Sequence, residues 1–217
     1  MTFISFAEPI KEILSLIVNS NDFHAKWLNT LSYLENCGAR KIAACEHPTF
    51  VKEEMLKHAA EEFRHALHLK RQIEKVTPTK MESYVVSSML GGATTLYYLT
   101  LLDLKASRYL KEIGLNKNCI KEVAYLLVTY AIELRAEELY PIYDAALRHA
   151  GSRVTVKSIL LEEKEHLEEM KKGIQSIKNG FNHADKICAM ESELCKKWLN
   201  NVFINLSRKK KNIAFKN

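Results

Sequence analysis

Apolar residues recur at three- and four-residue intervals along almost the whole chain. No run alternates as a half-buried strand would. The pattern predicts helices over about 23–45, 50–75, 80–113, 119–150, 155–179 and 183–206. Punctuation agrees with these bounds. Asn19–Asp22 offers a cap ahead of the first helix, and Thr77-Pro78-Thr79 breaks the second. The connection 46–49 holds Pro48, and Gly114, Gly151 and Gly180 mark helix ends. Pro141 falls inside the predicted 119–150 helix, where the lost hydrogen bond predicts a kink. Links between neighbours are short, which favours antiparallel helix pairs in a single domain over 1–217.

Composition narrows the class. Hydrophobic residues make up 47% of 217, enough for a sizeable core, and seven Gly with four Pro are too few for a turn-rich β fold. The expectation is an all-α bundle. Tyr84–Leu102 carries no charge over 19 residues, long enough to span a bilayer, but its Ser, Thr and Gly content favours a buried helix without stable membrane insertion. Five cysteines, an odd count without a Cys-x-x-Cys, fit a reducing, cytoplasmic setting better than a disulfide framework or zinc ribbon. Met1–Ile10 lacks the basic start and apolar run of a signal peptide. No Gly-rich phosphate loop is present. The net charge of +6 is mild, and part of it sits in the tail run Arg208–Lys211, read as a solvated terminus or an RNA or membrane contact.

The chemistry lies in a doubled spacing. Glu62 and His65 stand three residues apart, as do Glu163 and His166, so each pair shares one helix face. No other histidine of the eight has a glutamate three residues before it. Each pair is preceded by a helix with a glutamate on an apolar face: Glu35 among Leu31, Leu34 and Ile42, and Glu133 among Leu126, Tyr130 and Ala136. A lone buried carboxylate is costly unless paired or metal-bound. The separations, 27 residues from Glu35 to Glu62 and 30 from Glu133 to Glu163, place each acid at similar depth to its partner across a hairpin. The candidate metal ligands are therefore Glu35, Glu62, His65, Glu133, Glu163 and His166. Glu62 and Glu163 would bridge, and Glu35 and Glu133 would be terminal. Four carboxylates balance two divalent cations, and the mixed oxygen and nitrogen set suits iron or manganese. Glu61, Glu162 and Glu165 read as solvated. Glu137, one turn beyond Glu133, competes for the ligand role or stands behind it. Tyr33 and Tyr130 lie within a turn of Glu35 and Glu133 and read as packing residues, with a hydrogen-bonding or redox role as the alternative. Arg64 and Arg135 read as partners of the excess carboxylates, of little weight where the faces are exposed.

These residues resemble the ferritin-like di-iron carboxylate superfamily over 23–75 and 119–179. The runs Ala59-Ala60-Glu61-Glu62-Phe63-Arg64-His65 and Ala131-Ile132-Glu133-Leu134-Arg135-Ala136 look most like bacterial tRNA isopentenyl-adenosine hydroxylases, and the two separations look like the aldehyde-deformylating oxygenases. The resemblance implies a ferritin-like four-helix bundle with additional helices, and it favours Glu133 over Glu137. It also implies two iron ions, or manganese and iron, with dioxygen as co-substrate and an external electron donor. A rubredoxin-like cysteine site is absent. The 71 residues from Glu62 to Glu133 hold an inserted helix at 80–113, which could wall a substrate cavity, form a homodimer interface or simply add core.

The leading expectation is a di-iron hydroxylase or oxidase acting on a small molecule. Ferroxidase or iron storage, a tRNA-modifying hydroxylase and a purely structural metal site are the alternatives. With four acids neutralised by two divalent ions, the charge would move from +6 to near +10, which favours an anionic substrate or partner.

Overall fold

The computed structural model describes residues 2–47 and 49–214, with the side chains of 118 and 208–214 outside that description. Pro48 and the basic side chains of Arg208–Lys211 therefore lie outside the described residues. Seven α-helices and no strand are present among those described: α1 Ala7–Val18, α2 Asn21–Cys45, α3 Glu53–Gln72, α4 Ala93–Glu112, α5 Lys117–His149, α6 Lys157–Gln175 and α7 Gly180–Ala214. The chain is an all-α bundle. None of its helices is long and apolar enough to cross a membrane.

Two antiparallel hairpins, α2–α3 and α5–α6, pack most intimately, and each joins the two halves of the candidate ligand set. The helices α1, α4 and α7 pack around α5, and α4 also packs on α2. Where α2 faces α5, contact is sparse. Elsewhere in the core, Trp27 of α2 stacks on Trp198 of α7 at 5.6 Å between ring centres.

One expectation needs correction, and one helix is additional. The N-terminal segment forms a helix, α1, ahead of those the pattern predicts. Ile10, Ile13, Leu14 and Ile17 bury one face of it. Pro9 sits in its first turn, where its missing N–H has no intrahelical partner to lose. The helix expected over 80–113 starts only at Ala93. Residues 76–92 are irregular apart from a short 3₁₀ turn at Val86–Ser88. Side chains of α2 hold that segment: Asn29 Nδ2 donates to the carbonyls of Ser83 and Ser88, and the Leu90 amide donates to Thr30 Oγ1 at 2.8 Å. Gly91 then turns the chain with φ +85°, and a Cβ there would meet Trp198 at 2.8 Å. Only glycine permits both. Pro141 lies inside α5, which continues beyond it to His149.

Candidate metal centre

The six expected residues converge between the two hairpins. With His58 as a seventh residue, their ligand atoms fall into two groups, each within 4.8 Å: Glu35, Glu62, His65 and Glu163 in one, and His58, Glu62, Glu133 and His166 in the other. Glu62 belongs to both. Glu163 Oε1 stands 3.2 Å from His65 Nδ1, and the same carboxylate hydrogen-bonds Glu133 of the second group. Within the second group His166 Nδ1 lies 3.7 Å from Glu62 Oε1 and 3.8 Å from Glu133 Oε1. Ligand atoms about 2.1 Å from one ion at tetrahedral or octahedral angles lie roughly 3.0–3.5 Å apart, so these separations are close to those of coordination.

The hydrogen bonding says which atoms are free to coordinate. His65 Nε2 donates to Glu162 at 2.7 Å, and His166 Nε2 donates to Glu61 at 2.8 Å. Each ring is thereby fixed with Nδ1 as its lone-pair nitrogen. Both Nδ1 atoms, and Glu163 Oε1, are buried without a hydrogen-bond partner among the described residues. Buried polar atoms are rarely left in that state, and such atoms within both ligand groups fit cations. These buried His and Glu groups could hold a metal ion.

The same bonds correct one reading. Glu61 and Glu162 are not simply solvated: each orients the histidine of the opposite hairpin, and Glu162 also receives both terminal nitrogens of Arg64. Replacing Glu61 or Glu162 by alanine should weaken metal binding by roughly 10–100-fold while leaving the helical signal intact. Competition titration against a coloured chelator reads this directly.

Burial and mutual repulsion push the acids up when no cation is present. Desolvation, followed by the neighbouring Glu163 carboxylate, raises Glu62 to about 7. Desolvation is the largest cause in raising Glu133 to about 8 and Glu163 to about 8, and it also raises Glu35. Burial opposes charge on His65, but Glu163, Glu35 and Glu62 outweigh it and lift the ring to about 10. Burial lowers His58 and His166. A proton thus takes the place of a cation in the metal-free site.

An acid with a raised folded-state pKa favours folding below its unfolded pKa and loses that contribution as pH climbs through the folded value. The chelated protein should therefore lose thermal stability between about pH 5 and about pH 8, with His65 extending the loss upward. The metal-loaded form should not show this loss. Melts across that range, with and without chelator, check both.

Sequence reasoning missed His58. It stands four residues before Glu62 on the same face of α3, so the spacing was present. Its Nε2 is 3.1 Å from Glu133 Oε1, and its Nδ1 shares a hydrogen bond with the Tyr125 hydroxyl. The tyrosine that meets an expected ligand is Tyr140, which sequence reasoning did not single out. Tyr140 donates to Glu35, whereas Tyr33 donates to the Leu96 carbonyl outside the ligand groups. Tyr130 has neither a described bond nor a place in those groups. Glu137 is exposed and belongs to neither group, whereas Glu133 belongs to one.

Beside the groups runs a cavity of about 370 Å³ between α2, α4 and α5. Leu34, Ile42, Leu99, Val128 and Ile132 give it an apolar wall, and Gly38, Ala124 and Ala136 leave the room. The helix α4 thus supplies one wall of a cavity that opens on Glu35, Glu62 and Glu133. Comparisons with protein-family models, curated proteins and solved structures return no match to this chain.

Proposed function

We propose that this chain is an oxygen-activating di-iron, or manganese–iron, oxidoreductase of the ferritin-like kind, acting as a hydroxylase or oxidase. One observation carries the reading: two Glu/His groups that share Glu62 open together on an apolar cavity. Two redox metals held there would supply the reduction of dioxygen that unactivated C–H bonds require.

The chain's own residues do the rest. Glu35, Glu62, Glu133 and Glu163 would neutralise two divalent charges in a site from which bulk water is largely excluded. His65, His166 and His58 would add nitrogen ligands, the first two held in register by Glu162 and Glu61. Tyr140 fixes the rotamer of Glu35, and Tyr125 that of His58. The cavity wall orients an organic molecule against the carboxylates and keeps it dry. That wall favours an organic substrate over a growing iron mineral.

The test starts with anaerobic loading by ferrous salt. About two irons per chain are expected, followed by rapid oxygen consumption on mixing with aerated buffer. A monomer or small oligomer is expected in the same preparation. A protein that binds iron without consuming oxygen leaves only a structural metal site, and a closed shell of many subunits transfers the function to iron storage.

A further inference from the structure

The helix α3 has two faces that differ in kind. His58, Glu62 and His65 are buried on one of them, and the other carries an apolar stripe open to solvent. Leu56, Phe63 and Leu67 keep 47%, 44% and 50% of their surface exposed, and Ala60 is exposed between them. Positions 56, 60, 63 and 67 follow one another at four, three and four residues. That is the spacing of a seam that packs against another helix. A single exposed leucine needs no explanation, but a row with this period marks a contact surface.

Opposite charges bound the stripe. Glu53 stands one turn before Leu56 and Arg71 one turn after Leu67; both are exposed, and neither has an ion pair among the described residues. Lys57 and Arg64 flank the stripe, but Glu169 and Glu162 of α6 engage them. Set antiparallel against α3 of a second copy, with the twofold axis midway between Ala60 and Phe63, each position meets a fitting one. Leu56 faces Leu67, the small Ala60 leaves room for Phe63, and Glu53 faces Arg71. Symmetry makes each contact twice. A parallel pairing would set Glu53 against Glu53 and Arg71 against Arg71. The helix α4 also exposes a row, Tyr97, Leu101 and Leu104, but no acid lies in its first turn to meet Arg108 and Lys111 at its far end.

We infer that α3 is the contact helix of a weak antiparallel homodimer, its outer face covered by the α3 of a second copy. From Glu53 to Arg71 the seam runs about 27 Å, and at a helix width of about 10 Å it covers roughly 300 Å² a side. Leu161, 71% exposed on α6 next to the Glu162 that holds Arg64, widens it. The area stays below the ~800 Å² a side of a standard interface, so the dimer exchanges with monomer at micromolar concentrations. The pairing leaves the ligand face of α3 untouched and requires no bound metal.

Sedimentation velocity of the full-length protein between about 5 and about 200 µM tests the inference. The wild type should pass from monomer to dimer across that range. Phe63→Glu should stay monomeric throughout, with the helical signal unchanged. Glu53→Arg and Arg71→Glu should each weaken the dimer roughly tenfold, since both copies of the ion pair turn into repulsions. The double variant Glu53→Arg/Arg71→Glu should restore it, because the reversed charges meet again only in the antiparallel register. Leu101→Glu on α4 should leave the dimer as it is. A wild type that remains monomeric at about 200 µM overturns the inference. A dimer that survives Phe63→Glu, or one that Leu101→Glu dissolves, also overturns it by moving the contact to another face. A double variant no tighter than the two single ones overturns the antiparallel pairing.

Discussion

Replacing Glu62 by alanine should empty both halves of the centre at once. Glu62 is the residue common to the two ligand groups, and its carboxylate is nearly fully buried between them. Among the described residues no other side chain has that position: loss of Glu35 leaves the His58–Glu133–His166 group complete, and loss of Glu133 leaves the His65–Glu163 group complete. Bound iron should fall from about two per chain to near zero, and oxygen consumption should fall with it. The fold should survive. In the metal-free chain Glu62 is a buried acid raised to about 7 by desolvation and by Glu163, so its removal relieves a cost. Elemental analysis beside a thermal melt separates the two effects. A variant that keeps its iron and its turnover sinks the site assignment.

Arg135→Ala should produce the largest loss of stability. Arg135 is 4% exposed, and its guanidinium forks onto Glu191, which is 0% exposed. Nε meets Oε1 at 2.9 Å and Nη2 meets Oε2 at 2.8 Å. The same guanidinium pairs with Glu138, donates to the Ile4 carbonyl at 3.0 Å and lies 4.2 Å from the Phe3 ring centre. Removing it strands a buried carboxylate and frees the N-terminal segment. Breaking such a pair costs about 3–5 kcal/mol. For a chain of this size that is a drop in Tm of roughly 8–15 °C. The double variant Arg135→Met/Glu191→Leu should recover much of the loss, since no unpaired Glu191 charge remains. A single variant that melts with the wild type would show that the pair adds nothing net.

Helical period made the ligand helices legible. Glu62 with His65 and Glu163 with His166 declare one face each, and an acid among leucines at Glu35 or Glu133 declares an inward charge. Those inferences need only local geometry, and the structure places all six side chains together. What failed needed the tertiary arrangement. Glu61 and Glu162 sit next to other acids and read as solvent face; only the crossing of α3 with α6 gives each a histidine to hold. The weight of Arg135 was not legible because its partner Glu191 lies 56 residues away on α7. The segment 80–92 read as helix because its apolar residues allow one. Asn29 and Thr30, some sixty residues earlier, bind its backbone instead. His58 was legible but unread, since a four-residue offset presents the same face as a three-residue one.

The exchange of orienting acids between the hairpins has a further consequence. Glu61 of α3 serves the histidine of α6, and Glu162 of α6 serves the histidine of α3. Neither hairpin contains both a histidine ligand and the acid that aims it. Under the proposed function, occupation of one half stiffens the helix that aims the ligand of the other, so the second ion meets a prepared site. Loading then becomes cooperative. Under scarce metal the population divides into empty and fully charged molecules, with few half-filled ones to leak partly reduced oxygen.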